Sequence, residues 1–211
     1  MSLKIAFLTA CMSLVMGMLA SLALVRLGRF RGKMSFAGMI TAPLVMPEVI
    51  TGLSLLLLFV AMEKSFGWPG GRGMLTIWIA HVTFSTAFVT VILSSRLKEI
   101  DRSLEEAGMD LGASPLKVFF VITIPIITPA LLAAWLLAFT LSLDDIVIAS
   151  FVSGPGSTTL PMKVFSSVRL GISPKINALA SIIIALVSLG VLTAGWIVRG
   201  WERKKTLGIS Q

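Results

Sequence analysis

The sequence contains five long runs of apolar residues, each long enough to cross a membrane as a helix. About 20 helical residues span the roughly 30 Å hydrocarbon core of a bilayer. The runs cover residues 5–25, 39–62, 74–93, 118–143 and 176–198. This pattern predicts an all-α fold, a polytopic transmembrane bundle of about five helices.

The composition excludes a water-soluble globular protein. Hydrophobic residues make up 56% of the chain and charged residues only 13%, whereas a soluble domain has about 25% charged residues. A domain of this length has too little interior to bury so many apolar side chains, so part of them must face lipid. The net charge of +8 comes from basic residues between the apolar runs, which indicates a role in membrane topology and not in binding nucleic acid.

The sequence contains no recognisable catalytic or metal-binding motif. Its single cysteine, Cys11, and single histidine, His81, cannot form an internal disulfide or a Cys/His metal site. The phosphate-binding pattern G-x-x-x-x-G-K-[ST] does not occur in the sequence. We therefore predict no catalytic residues, metal or cofactor, and we interpret His81 as an interhelical hydrogen-bonding residue.

The basic residues predict the orientation in the membrane. Twelve of the 18 Lys and Arg residues lie after the first run, between the third and fourth runs, or after the fifth run. Lysine and arginine favour the cytoplasmic side of a membrane. This distribution places the C-terminus in the cytoplasm and the N-terminus outside.

Proline pairs occur in the second and fourth runs, and we expect each pair to kink its helix. The pairs are Pro43 with Pro47, and Pro125 with Pro129.

The connection 144–175 is rich in turn-forming residues and contains one short apolar stretch, residues 146–152.

Residues 94–117 form the longest charged connection, which we call the charged segment. Good helix formers from 96 to 109 predict a short helix at the membrane surface. Glu106 and Asp110 are four residues apart and share one helical face. Gly112 and Pro115 are typical of a helix end followed by a turn. The residues alone allow two interpretations: a helix that lies on lipid headgroups, or one that docks into a partner's groove.

Three acidic residues lie in or beside apolar runs, where a carboxylate is costly to bury and often marks a pathway. They are Glu48, Asp144 and Asp145. One interpretation is that they offer counter-charges to a cation in a water-filled cavity. The alternative for the two aspartates is that they cap the next helix or pair with a partner's arginine.

The charged segment resembles the coupling-helix motif of bacterial ABC importer permeases. That motif reads Glu-Ala-small-x-x-x-Gly, with Ile and Pro 16 and 19 residues after the Glu, and it matches Glu106, Ala107, Gly112, Ile122 and Pro125. Gly108 stands where a second Ala is usual, and Ile124 where Leu is usual. The resemblance implies contact with a cytoplasmic ATPase through Glu106, Ala107, Gly108, Asp110, Gly112, Pro115, Ile122 and Pro125.

The resemblance extends to spermidine/putrescine permease subunits, and most closely to the second permease of putrescine importers. Residues 40–53, 141–151 and 154–162 carry it. It implies a non-enzymatic subunit of the bacterial inner membrane, with a permease domain over 1–200 and a cytoplasmic tail over 201–211. The implied partners are an ABC ATPase dimer, a second permease subunit, an external substrate-binding protein and membrane lipid. Family members have six spans and a cytoplasmic N-terminus, so we expect that the first helix is missing from this sequence.

Three alternatives stay open at this point. The same architecture could carry another small solute, such as a different polyamine, iron, sulfate or an amino-acid derivative. A secondary carrier driven by an ion gradient is another class, although no internal repeat is detectable. The third is a nonfunctional truncated fragment that inserts into the membrane but does not assemble.

Overall fold

A computed structural model describes residues 1–28 and 30–170, together with six helical positions between 177 and 188. The fifth apolar run, apart from those six positions, and the tail 201–211 lie outside the described residues. Within residues 1–28 and 30–170 the regular structure is entirely helical. The helices are α1 (Ser2–Val25), α2 (Lys33–Val45), α3 (Glu48–Phe66), α4 (Met74–Glu99), α5 (Arg102–Asp110), α6 (Pro115–Val118), a π-helical turn (Phe119–Thr123), α7 (Ile124–Asp144), α8 (Val147–Val152) and α9 (Leu160–Leu170).

Four helical stretches in the described part of the chain are long and apolar enough to cross a membrane. They are Ser2–Val25, Glu48–Phe66, Met74–Glu99 and Pro115–Asp144. They correspond to the first four apolar runs of the sequence. The all-α membrane bundle predicted from those runs is therefore confirmed for this part of the chain.

Helices α1, α4 and α7 pack against one another and form the centre of the bundle. Their contact surface is made of small and aliphatic side chains, including Ala10, Val89 and Ala134. Gly17 of α1 lies so close to α4 that a β-carbon there would be 2.5 Å from Cγ1 of Val89. Small residues at such positions let helix backbones approach closely, and the resulting van der Waals packing favours helix association in lipid.

A second buried cluster connects α3, α4 and α8. It contains Phe59 of α3, Ala80 of α4 and Ile148 of α8. Gly52 allows α3 to approach α8, because a β-carbon there would be 2.7 Å from Cδ2 of Phe151. The short apolar stretch after α7 is thus a small helix packed into the bundle.

Large apolar side chains are exposed along the outer faces of the membrane-spanning helices. Examples are Leu19 on α1, Leu57 on α3 and Leu132 on α7. Exposed apolar surface on this scale is typical of helices that face lipid or other transmembrane helices.

The structure corrects two of the expected helices. The run 39–62 is not one kinked helix: α2 ends at Val45, and α3 begins at Glu48 directly after Pro47. Pro47 cannot donate a backbone hydrogen bond and disfavours helical geometry at Met46, whose ψ is 137°. The helix expected over 96–109 is also interrupted: α4 ends at Glu99, the buried Ile100 is extended with a ψ of 124°, and Asp101 caps α5, which begins at Arg102.

In the fourth span the helix continues through its first proline, Pro125, by a local change of hydrogen bonding. The π-helical turn precedes α7, and the amide of Ile124 bonds to the carbonyl of Phe119 five residues earlier. Pro125 follows at the start of α7, where a missing amide proton is tolerated. Pro129 lies inside α7.

The chain divides into two compact units, Met1–Met162 and Lys163–Gln211. In the described part of the second unit, the side chains of Ser166 and Ser167 donate to the carbonyl oxygen of Lys163. The guanidinium of Arg169 lies 5.1 Å from the ring centroid of Phe165.

Candidate functional site

Helix α5 carries the core of the motif in the charged segment, and its own sequence fixes both of its ends. The Asp101 carboxylate accepts a hydrogen bond from the amide of Ser103 at 3.0 Å, and this bond lowers the pKa of Asp101 below its ordinary value. At the other end, Gly112 has a φ of +85°. The amides of Gly112 and Ala113 bond to the carbonyls of Met109 and Gly108, which is the Schellman arrangement. Gly112 therefore ends the helix, as the sequence predicted.

One face of α5 is exposed and carries most of the motif. Glu106, Ala107 and Asp110 are exposed on the helix. Among the described residues, neither carboxylate has a hydrogen-bond or ion-pair partner within the chain. Leu111, at the end of the helix, is 90% exposed. This acidic and apolar surface is available to another protein.

The opposite face of α5 packs onto α6 and the π-helical turn, which directly precede α7. Gly108 is half-buried, and a β-carbon there would lie 2.8 Å from Cδ1 of Ile122 and 3.2 Å from Cγ2 of Val118. The motif residues Gly108 and Ile122 are therefore direct neighbours in space. Of the remaining motif residues, Pro115 begins α6 and Pro125 lies in the first turn of α7, and both are exposed.

Glu105 is the polar centre of this packed face, although no pattern in the sequence distinguishes it from its charged neighbours. Its Oε1 accepts a hydrogen bond from Arg26 at 2.9 Å and another from the hydroxyl of Thr123, also at 2.9 Å. The side chains of Arg26 and Glu105 are only 17% and 18% exposed, and Thr123 is buried. One carboxylate thus connects α5 to the end of α1 and to the π-helical turn below α7.

A second arginine makes the reciprocal contact between α5 and α1. Arg102, the first residue of α5, donates to the carbonyl oxygen of Val25 at 3.0 Å. That carbonyl is one of the last four of α1, which have no partner within the helix. Between these elements lies a cleft of about 320 Å³ whose lining includes Arg26, Arg102, Glu105 and Glu106.

The three acidic candidates for a substrate pathway lie in different surroundings. Glu48 is the first residue of α3 and is exposed, where its charge is favourable to the helix dipole. Asp144 is the last residue of α7 and is also exposed.

Asp145 is mostly buried, and both of its oxygens are used within the chain. They accept hydrogen bonds from the amides of Ile148 and Ala149 at 3.2 and 2.7 Å, and so cap α8. Oδ2 also lies 3.1 Å from Nε2 of His81, whose Nδ1 lies 2.7 Å from the hydroxyl of Ser142. With Asp145 ionised, Nε2 carries the proton and Ser142 donates to Nδ1. His81 thus joins α4 to the end of α7, which is the interhelical role predicted for it.

The sequence gives little signal for the contacts of Glu105. Arg26 is 79 residues away in the chain and counts in the sequence only as one more basic residue after a span. Thr123 is a neutral residue at the start of an apolar run. An ion pair between elements so far apart requires the packing of α1 against α7, which hydrophobic periodicity does not specify.

Comparison with protein families gives one match over most of the chain. Residues 13–206 match the family described as binding-protein-dependent transport system inner membrane component. This range includes α1 from Ser13 onward and the whole charged segment.

Individual relatives cover the chain more completely. It is 62% identical over all 211 residues to the putrescine transport system permease protein PotI of Escherichia coli strain K12, and the match covers 75% of that protein. It is 40% identical over 198 residues, 94% of the chain, to the spermidine/putrescine transport system permease protein PotC of Haemophilus influenzae, 74% of which is covered.

A solved structure has the same fold. The crystal structure of an amino acid ABC transporter with histidines matches with a TM-score of 0.61 and 19% identity, covering 90% of this chain and 85% of that one. At this level of identity the likeness concerns the arrangement of the helices alone.

Proposed function

Because the chain belongs to the family of inner membrane components of binding-protein-dependent transport systems, we propose that it is a permease subunit of a polyamine ABC importer. Its substrates are putrescine and, second, spermidine. The observation that supports the polyamine assignment is the 62% identity to a putrescine permease over the full length of the chain. As a transport subunit the protein has no enzymatic activity of its own.

In this proposal the chain forms half of a translocation pathway and works with three kinds of partner. A second permease subunit supplies the other half, an ATPase dimer on the cytoplasmic side supplies the energy, and an external binding protein delivers the substrate. A single permease domain extends over residues 1–200, the tail 201–211 and the C-terminus are cytoplasmic, and lipid covers the outer apolar faces.

Uptake by whole cells tests the cargo. Cells without their own polyamine importers would express this chain with its ATPase, second permease and binding protein, and uptake of radiolabelled putrescine and spermidine would be measured. The control is the same set of genes without this chain. We expect ATPase-dependent uptake of putrescine only when the chain is present. Uptake of sulfate, iron or an amino acid without any polyamine uptake would assign a different cargo.

We propose that α5 is the surface that contacts the ATPase. The exposed carboxylates of Glu106 and Asp110 and the apolar Leu111 form a docking face, while the packed face around Gly108 holds the helix in place. Helices with such amphipathic faces commonly bind in a partner's groove.

A charge reversal tests this docking. Glu106→Lys should leave the chain in the membrane and greatly reduce the amount of ATPase that copurifies with it. Glu99→Lys is a matched control, because Glu99 is also exposed but its partner is Arg96, at 2.7 Å within α4. Equal ATPase recovery with Glu106→Lys and with the control would contradict the docking face.

We propose that the acidic residues near the membrane lie along the substrate pathway, with two different roles. Glu48 and Asp144 are exposed and can attract a cationic substrate, whereas Asp145 holds the start of α8 in position. Glu48→Gln and Asp144→Asn should each raise the KM for putrescine by up to about fivefold, equivalent to the ~1 kcal/mol of an exposed ion pair. Unchanged KM values in both variants would remove these residues from the pathway.

A further inference from the structure

The packed face of α5 connects this helix to the membrane-spanning core of the subunit. Glu105 bonds to Arg26, directly after α1, and to Thr123, directly before α7. Helices α1 and α7 both pack against α4 in the centre of the bundle. The exposed face of α5 contains none of these contacts. Helix α5 therefore has one face for a partner and another that is bound to the membrane-spanning core.

Polar contacts connect α5 to α1 in both directions. Arg26, just after α1, donates to Glu105 of α5, and Arg102 of α5 donates to the carbonyl of Val25 in α1. Hydrogen bonds that involve a charged group are about twice as strong as neutral ones. The Arg26–Glu105 pair is also mostly shielded from water, so it is weakened less by salt than a surface pair.

The connection to α7 combines a hydrogen bond with close packing. The Thr123 hydroxyl donates to the same Oε1 that accepts from Arg26. Beside it, Ile122 and Val118 fill the space that the missing side chain of Gly108 leaves. A displacement of α5 would have to break these contacts or carry the ends of α1 and α7 with it.

We propose that Glu105 is the residue that transmits movement of α5 to α1 and α7. It does so through its two hydrogen-bond partners, Arg26 and Thr123. The inference rests on the proposed function, in which the ATPase acts on the exposed face of α5. Glu105 acts as a positioning residue through Arg26 and Thr123, and its role is to keep the docking helix and the core moving as one body. Loss of this connection should uncouple ATP hydrolysis from transport while the ATPase remains bound.

The test uses the complete transporter in proteoliposomes, with ATP hydrolysis and putrescine uptake measured on the same vesicles. Glu105→Ala should raise the number of ATP molecules hydrolysed per putrescine transported at least about fivefold, the lower range of measured couplings between sites. Glu99→Ala, which breaks the exposed ion pair with Arg96, should leave this ratio at the wild-type value. The ratio would not change if Glu105 only stabilised the fold, because misfolded copies would lose both activities.

A second experiment exchanges the charges of Arg26 and Glu105. Arg26→Glu and Glu105→Arg should each uncouple transport alone, and the double variant should recover most of the wild-type ratio. A wild-type ratio in Glu105→Ala, or no recovery in the double variant, would overturn the role of Glu105. Failure of the wild-type chain to retain the ATPase would instead overturn the proposed function, and the inference with it.

Discussion

Gly108 of α5 and Ile122 of the π-helical turn are 14 residues apart in the chain and lie in direct contact. A β-carbon at position 108 would fit only if Cδ1 of Ile122 moved. The motif in the charged segment thus spans two elements that pack on each other. Its spacing includes the turn that brings them together.

The size of the side chain at position 108 should determine how stably α5 packs against α6 and the π-helical turn. Gly108→Ala requires only a small shift of a flexible methyl group, and the higher helix propensity of Ala, by about 1 kcal/mol, offsets the cost. Gly108→Val should lower stability by about 1–3 kcal/mol, because its branches also meet Val118. Thermal unfolding of the purified variants in detergent measures the difference. Equal stability of the Val and Ala variants would contradict the close packing.

Gly154 lies where the loop between α8 and α9 meets the loop between α3 and α4. A β-carbon at this position would overlap the carbonyl oxygen of Arg72, and a backbone atom cannot move aside as a side chain can. Gly154→Ala should therefore destabilise the protein by at least ~1–3 kcal/mol. Gly38→Ala is the matched control: it has open space in α2 and should be neutral or slightly stabilising. The same unfolding assay compares the two variants.

The adjacent aspartates should respond very differently to truncation. Asp145→Ala removes the cap of α8 and leaves Nε2 of the buried His81 without its acceptor, at a cost of about 1–3 kcal/mol. Asp144→Ala changes an exposed residue and should alter the free energy of unfolding by no more than about 0.5 kcal/mol. Similar losses in both variants would contradict the distinct environments of the two residues.

The cap of α5 should depend on pH only in the acid range. Because the pKa of Asp101 is lowered in the folded protein, its contribution to stability is present above the ordinary value of 3.8 and is lost as the pH falls through the lowered value. Amide exchange at residues 103–105, measured by mass spectrometry, should be protected equally at pH 6 and 8. Asp101→Ala should lose that protection at both pH values, and Asp101→Asn should retain it. Protection that falls between pH 8 and 6 would contradict the lowered pKa.

The helices could be read from the sequence wherever one local signal dominates. Runs of apolar residues located the membrane spans, and Gly112 located the end of α5, because a positive φ is rarely tolerated by other residues. The complete break at Pro47 is not predictable in this way, because a proline pair alone does not distinguish a kink from an interruption of the helix. The start of α5 is not predicted either, because Asp101 is recognisable as a helix cap only once its carboxylate accepts from the amide of Ser103.

The site was predictable in its exposed half and not in its buried half. Glu106 and Asp110 follow from spacing along one helix, which is local information. The role of Glu105 depends on Arg26 and Thr123, and these come together only after α1 packs against α7. Likewise, nothing local separates Asp144 from Asp145, since the difference between them is the proximity of His81 on another helix.

Site-specific photo-crosslinking tests the central claim that α5 contacts a separate ATPase. In a Cys11→Ser background, single cysteines at Leu111 or Met34 would carry a benzophenone label in the assembled transporter. Both native side chains are 90% exposed, but only Leu111 lies on the proposed docking face. Irradiation should join the ATPase to the label at position 111 and not to the label at position 34. No ATPase adduct at position 111, or equal adducts at both positions, would contradict the proposal.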